Sequence, residues 1–445
     1  MKITIKPILL LFIIAINCHW LCAQCSQNTY SFNTQEEVDN FPAFHPTCTE
    51  ITGNLIIQNS EAYNLDSLIQ ITKVANRISI RGNSLLGNLS GLSNIVQCSD
   101  LEITNNSNLT NANGIANIQE LYGTVIFVNN PRIQTFIGLN LPSSINKVLV
   151  SDNDSMFYFS AFKDALDIND FIIINDNPKL GSLEICETTK RIGNLTIQNH
   201  PSLVQISSLD SLIAVDTLSV INNNRLTLLP HLDQLQNVNG QLIISDNDTL
   251  KTINRLPNLI AVENGLLIHN NRNLEDFTGT IQLNSIGNKV EFINNLELDN
   301  IDGLSTANHV STDSLSIVDN LSLVYCQNDF VCDYIRDENK YREITNNGSN
   351  SCTAPELLDW CVVDTKESES LTPFSIYPIP FVDELHISAE DNAKWQKIEL
   401  FNSTGKLILE NQNDSSILST RDLSSGYYYL HLHANDEIYS FRLVK

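Results

Sequence analysis

Positive charge is scarce in this chain. Its 445 residues carry 26 Lys and Arg against 51 Asp and Glu, a formal net charge of −25. No basic stripe is available to neutralise phosphates, which excludes nucleic acid as a partner. Docking on an anionic membrane surface is excluded on the same ground. Long apolar runs are missing as well. The run Ile8–Ile16 follows Lys2 and Lys6 and leads to small residues ending at Cys22-Ala23. Crossing a bilayer takes ~20 apolar residues, so no transmembrane segment is expected. The run reads instead as the core of a signal peptide, residues 1–23, cleaved after Ala23. Tryptophan is rare, 3 in the chain, and the repeats described below contain none. Apolar residues in general are not scarce: 42% of the chain is hydrophobic, too much for a disordered segment.

No close Cys-x-x-Cys pair with a nearby His pair occurs beyond the signal peptide, so no zinc site and no cofactor is indicated. Export permits disulfides instead. Cys25 and Cys48 flank one short segment and are expected to pair. Cys326, Cys332, Cys352 and Cys361 cluster after the repeats and are expected to form two more bridges, with the pairing open. Cys98 and Cys186 stand apart at different phases of the repeat, and read as buried thiols.

What the chain has in abundance is periodicity. Apolar triplets recur with anchors at Ile57, Ile80, Ile103, Phe127, Val150, Ile174, Ile197, Val220, Ile244, Ile268, Phe292 and Ile317, spaced 23 to 25 residues apart. Two positions before each anchor stands another aliphatic residue, from Leu55 to Leu315. Alternation over three residues with β-branched enrichment predicts a short strand with both residues inward. Three positions after the anchor, ten of the twelve coils carry Asn: Asn83, Asn106, Asn130, Asn153, Asn177, Asn223, Asn247, Asn271, Asn295 and Asn320. Ser60 and His200 are the exceptions. Stacked Asn side chains can satisfy backbone groups that a turn leaves unpaired. Six positions after the anchor the chain is apolar again, from Tyr63 to Leu323, and is expected to re-enter the core. One such unit cannot bury its own apolar face, but stacked neighbours share a continuous core. The fold class is therefore mainly β: a parallel β-helix or leucine-rich-repeat-like solenoid of about 12 coils, roughly 55–60 Å long at the usual strand spacing.

The unit Leu-x-Ile-x-x-Asn-x-x-Leu, with returns such as Gly91-Leu92 and Gly303-Leu304, resembles leucine-rich repeats. It looks most like the receptor L-domain variety, as in Gly193-Asn-Leu-Thr-Ile-Gln-Asn199, over roughly residues 50–325. That resemblance implies a right-handed β-helix that binds proteins or other ligands. The matching positions are structural, so no functional residue carries over.

After a polar linker, residues 362–374, strand-like runs reappear at Phe374–Tyr377, Leu385–Ser388, Ile398–Phe401, Leu407–Leu409, Tyr427–His433 and Ile438–Val444. Their turns suggest a small immunoglobulin-like β-sandwich. Its pieces Tyr377-Pro378-Ile379-Pro380, Asp383-Glu-Leu385, Asn402-Ser-Thr-Gly405, Leu423-Ser-Ser-Gly426-Tyr427 and Phe441-Arg-Leu-Val-Lys445 resemble the C-terminal sorting domain of type IX secretion cargo. The usual motif has Asn where Ile379 stands. The resemblance implies Sec export, recognition by the type IX machinery, passage across the outer membrane and removal of this domain. The expected organisation is a signal peptide (1–23), an N-terminal cap (24–53), the solenoid (54–325), a cysteine-containing cap (326–361), the linker and the sorting domain (375–445).

Candidate chemistry sits on outward strand positions. One residue before the anchor are Ile126, Leu149 and Ile173 on three consecutive coils, and Ile243 and Leu267 on two more. A contiguous apolar patch of this kind suits a binding surface. Phe136, Phe157-Tyr-Phe159, Phe162 and Phe171 could stack into a sugar platform, although aromatics at such positions more often fill a core. The turns Asp152-Asn-Asp154 and Asp246-Asn-Asp248 are oxygen-rich, yet Asx residues in tight turns need no calcium. His431 and His433 alternate on one strand but lack a third ligand. Asp followed by Ser or Thr and an aliphatic or Met, as at Ser67, Ser155 and Thr249, looks like a bacterial O-glycosylation sequon, but the repeat demands such turns anyway. Glu102 with Arg81, and His269 with Glu291, face outward on neighbouring coils. No pair of carboxylates across a cleft, no nucleophile elbow and no Ser-His-Asp pattern accompanies them. The expectation is a secreted or surface recognition protein with an unknown protein or glycan ligand. The alternative is a polysaccharide-active β-helix enzyme, a lyase or glycosidase.

Overall fold

The computed structural model describes Cys25 and residues 27–445, apart from 60, 140, 142–143, 325, 349–351, 364–373, 379–380, 390–393, 403–405, 412–415, 425 and 435–436. The expected signal peptide, Ser60, Ile379, Pro380, Gly405 and most of the linker lie outside the described residues. The chain divides into two compact units at Cys361 and Val362.

In the first unit, fourteen parallel strands stack from Tyr30–Phe32 to Tyr341–Thr345, making thirteen turns of a β-solenoid. The register follows the repeat. Leu55, Ile78, Leu101, Val125 and Val148 stand opposite one another in a column, as do their anchors Ile57, Ile80, Ile103, Phe127 and Val150. These residues are almost wholly buried. Each contributes about 1.5–3 kcal/mol through removal from water, summed along one continuous core.

Twelve anchors were legible in the sequence, and the structure adds a strand at each end. Tyr30–Phe32 pairs with Leu55–Ile57, and Tyr341–Thr345 continues from Thr312–Val318. Both end strands depart from the aliphatic pattern, because each meets a cap on one side rather than another coil. At the N-terminal end the helix Gln35–Phe44 opens with a capping box of Thr34 and Glu37 and buries Val38 and Phe41. The Phe41 ring meets those of Tyr30 and Phe32 edge-on, and Cys25–Cys48 closes the segment. At the other end lie the helices Asp329–Ile335 and Ala354–Val363, pinned by Cys326–Cys352 and Cys332–Cys361. Cys98 and Cys186 are free and buried, and burial pushes both thiols up to about 12.

The back of the solenoid alternates between two solutions. In the middle, Thr135–Gly138, Tyr158–Ala161, Ser182–Ile185 and Gln205–Ser207 make a second parallel sheet. In the first coils, and again at Asp302–Leu304, short 3-10 turns such as Ser90–Leu92 and Asn113–Ile115 return the chain. There the glycine of the Gly-Leu or Gly-Ile return is a packing necessity: a Cβ on Gly91 or Gly114 would lie 1.7 Å from the carbonyl oxygen of the coil below. One inward assignment changes. Tyr63 is 58% exposed, and Ala62 takes the core position in the first coil.

The Asn column is a bonded ladder. Asn106 Nδ2 donates to the Ile80 carbonyl at 3.0 Å, while its Oδ1 accepts from the Asn83 backbone N–H at 3.1 Å. Each side chain thus completes the turn of the coil before it, and the pattern repeats through Asn320. His200 is no interruption. Its Nδ1 accepts from the Asn177 N–H at 3.3 Å, and its Nε2 donates to the Ile174 carbonyl at 3.1 Å. The imidazole reproduces the amide's donor and acceptor, which requires the neutral Nε2–H tautomer. Burial holds its pKa down at about 4. Asn347 adds a further rung, accepting from the Asn320 N–H. A second column was not foreseen: the residue before each rung from Asn106 to Asn347, running from Asn105 through Asp176 and Asp246 to Asn346, has φ between +53° and +62°. Asn and Asp tolerate this left-handed geometry best, which explains the doubled Asx in each turn.

The second unit is an antiparallel sandwich. One sheet joins Phe374–Tyr377, Glu384–Ala389 and Ile417–Ser419, and the other joins Leu407–Asn411, Lys397–Asn402, Tyr427–Ala434 and Glu437–Val444. Phe381, Leu385, Ile398, Leu400, Leu430 and Leu443 lie in the core between them. The short strand Ile417–Ser419 was not visible in the sequence, because three residues carry too little alternation.

Candidate functional site

Side chains one residue before the anchor point out of the long sheet and form a single column in register. It runs Ile56, Ser79, Glu102, Ile126, Leu149, Ile173, Thr196, Ser219, Ile243, Leu267, Glu291, Ser316 and Glu343. Ile126, Leu149 and Ile173 are adjacent and half-buried. Lys147 lies beside them, paired with Asp170 at 3.1 Å and 5.5 Å from the Phe171 ring centre. Thr196 and Ser219 separate this patch from Ile243, so the five apolar candidates do not form one surface. Leu267 is only 9% exposed. Gly265, at φ +139°, leaves room beside it for the Leu267 side chain and the Lys289 stem.

Charged clusters flank the apolar stretch. Toward the N-terminal cap, Glu102 accepts from Ser79 Oγ at 3.0 Å and lies 3.8 and 4.0 Å from the Arg77 and Arg81 guanidinium groups. These side chains, with Asn54, Ile56, Asn76 and Asp100, line a trough of about 410 Å³. Toward the other cap, Glu291 sits 2.9 Å from His269 Nε2 and 3.2 Å from Lys289 Nζ. The imidazole contact lacks hydrogen-bond alignment, so Glu291 meets the ring as a charge. Burial holds the His269 pKa below the usual imidazole value, against the opposing pull of Glu291. A base, a cation and a carboxylate therefore do converge here, which sequence spacing alone did not reveal. Lys289 and Glu291 alternate on one strand, and His269 reaches them from the coil below.

A cluster that sequence reading missed lies on the second sheet. Glu184 accepts from Lys163 at 2.9 Å and from Ser160 at 3.3 Å. The Lys163 bond chiefly, with a Tyr158 bond next, keeps its carboxyl below the ordinary range. The partner strand could have signalled it, since Ser160 and Glu184 occupy equivalent outward positions.

The other candidates resolve into structural roles. Phe136, Phe159 and Phe162 are buried, with Phe136 and Phe159 stacked at 5.1 Å, so these rings fill the core and no sugar platform of all six aromatics forms. Phe157 alone of that run is largely exposed. Asp152 and Asp246 accept from Ser151 and Asn270 within the turns. His433 pairs with Glu399 at 2.8 Å, while His431 packs against Phe401, which separates their tasks. In the sorting motif, the Tyr377 ring stacks on His386 at 5.5 Å. The Lys445 ammonium donates to the carbonyls of Thr420, Arg421 and Leu423, and its backbone exchanges hydrogen bonds with Gly426.

Residues 375–445 match the family described as the secretion system C-terminal sorting domain. The chain is thus cargo of the type IX system, delivered to the cell surface or the extracellular space, and the sandwich engages that machinery. Among the described residues no helix is long and apolar enough to cross a membrane. A curated relative, the ulvan lyase NLR42 of Nonlabens ulvanivorans, is 31% identical over 111 residues, 23% of this chain. The matched part spans 21% of that relative's length.

Proposed function

We propose that the solenoid is a non-enzymatic recognition or adhesion module that binds a protein or glycan through the outer face of its long sheet. The carrying observation is the in-register trio Ile126, Leu149 and Ile173, three adjacent apolar side chains left half-buried on a face of mostly polar neighbours. Apolar patches rimmed by polar groups are characteristic of interaction sites. The resemblance of the repeats to receptor L-domains points the same way. The test is a glycan and surface-protein array probed with the purified chain and with Leu149→Glu. Saturable binding that weakens at least about tenfold in the variant, at unchanged melting temperature, is expected. Unchanged binding would move the ligand to another face.

A second reading, a polysaccharide-active enzyme, is favoured by one geometric observation and one comparison. His269, Lys289 and Glu291 meet at a partly buried site, and part of the chain resembles an ulvan lyase. A lyase needs a neutral base beside a cation that holds a uronate carboxylate, and the depressed His269 pKa with Lys289 alongside meets that description. Incubation with anionic and neutral glycans separates the readings. Product that disappears in His269→Ala would establish the enzyme, whereas binding without product retains the module.

A further inference from the structure

Away from both the sheet face and the His269 cluster, three metal-ligating side chains converge that neither reading uses. Asp210 and Asp233 stand 23 residues apart, one repeat, each beside a buried leucine, Leu209 or Leu232. His231 flanks Leu232 on its other side. One ligand atom from each of Asp210, His231 and Asp233 lies within 4.8 Å of the others. We propose that these three residues form a surface site for a divalent transition-metal ion of the zinc class, with coordination positions left open to water or to a ligand's donor.

Geometry supports the donor set. Metal–ligand bonds of about 2.1 Å in a tetrahedral site put neighbouring donors about 3.4 Å apart. His231 Nδ1 and Asp233 Oδ2 are 3.6 Å apart. The Asp210 donor lies within 4.8 Å of both, and all three residues are exposed. The leucines beside them are buried in the core and fix the backbone from which the donors project.

Charge supports it as well. Two carboxylates repeat on successive coils, and among the described residues neither has a Lys or Arg partner; the ionic neighbour of Asp233 is His231 itself. With a neutral imidazole the set carries two negative charges, matched by one divalent ion that would also relieve their mutual repulsion. The nitrogen donor sets the class, since imidazole suits zinc, nickel and copper, whereas calcium and magnesium take oxygen. The acidic turns at Asp152 and Asp246 lack such a donor and are hydrogen-bonded within their own ladders.

The experiment is a zinc titration of the purified, chelator-treated full chain in competition with a chromophoric chelator. One saturable site is expected, weakened at least tenfold in His231→Ala and in the Asp210→Asn, Asp233→Asn double variant. The His431→Ala, His433→Ala variant, which removes the other closely spaced histidines, should bind as the parent does. Thermal melts without metal check that each variant is folded. No saturable binding by the parent, an unchanged curve in His231→Ala, or an equal loss in the His431 and His433 variant would each overturn the site.

Discussion

The two units solve the same problem, closing a β-sheet core, in opposite ways. In the solenoid each strand meets only the coil before and the coil after, in parallel register, and turn groups are satisfied by a side chain one repeat away. In the sorting domain, antiparallel strands distant in sequence share one core, and the last residue of the chain pins the turn at Thr420–Leu423. Repetition makes the solenoid's sequence rich in structural signal and poor in functional signal, because the repeating positions are those that stack. The sorting domain is the reverse. Its fold is less regular in sequence, but its address is readable from a handful of residues.

The sharpest way to break this comparison is to remove one unit. Deleting residues 375–445 should leave the solenoid folded, since the two units are separately compact. It should abolish surface delivery, with the truncated chain retained in the periplasm. Cell fractionation with an antibody to the repeats checks this, and normal surface levels would refute the sorting role.

Next in size is a pH effect confined to the solenoid. The His200 pKa is about 4 in the folded chain, against 6.5 for a free imidazole. Between those values the unfolded chain binds the proton and the folded one does not, so stability falls as pH drops from about 6.5 to 4. The loss is on the order of 3 kcal/mol when complete. His200→Asn should restore a ladder amide and flatten that part of the stability curve. Denaturant melts across this range, with an unchanged slope in the variant, would show that the imidazole is not the sensor.

Smaller is the cost of one rung. Asn223→Ala should destabilise the solenoid by roughly 1–3 kcal/mol, because the Ile197 carbonyl and the His200 N–H lose buried partners. Asn273, exposed in a turn two repeats further on, should be nearly neutral when changed to Ala. Equal shifts in melting temperature would mean that the ladder contributes nothing specific. Smallest is Lys445→Ala, expected to cost the sorting domain about 1 kcal/mol through lost ammonium–carbonyl bonds while leaving the solenoid transition untouched. Two-transition calorimetry reads both units at once.

Much of this architecture was legible in the sequence. The anchors, the buried Asn column, the Cys25–Cys48 bridge and the sorting motif all stand on repetition or on short motifs with a physical mechanism. What escaped notice lacked one or the other. The end strands meet caps, so Tyr30 and Arg342 replace the aliphatic residue. His200 looked like a lapse because residue type hides that an imidazole can offer the same donor and acceptor as an amide. Tyr63 looked inward because spacing alone cannot register a one-residue shift in the first coil. The His269–Glu291 pairing was legible, but Lys289 beside it and the Glu184 cluster were not, because long charged side chains reach their partners in ways that spacing does not encode.

The Asn ladder has a direction, and that direction bears on how the solenoid is assembled. Every rung finishes the turn of its predecessor, so a coil stays incomplete until its successor has arrived. A chain that folds from its N-terminus therefore always carries one unfinished end, which moves forward by a single repeat at a time. Asn347 brings the advance to a halt: it completes Asn320 and the Ile317 carbonyl, and its remaining amide donor turns to the carbonyl of Cys352, a residue locked to Cys326. The C-terminal disulfides are thus a terminator as much as a brace. The Cys326–Cys352 bridge holds in place the carbonyl on which the ladder ends.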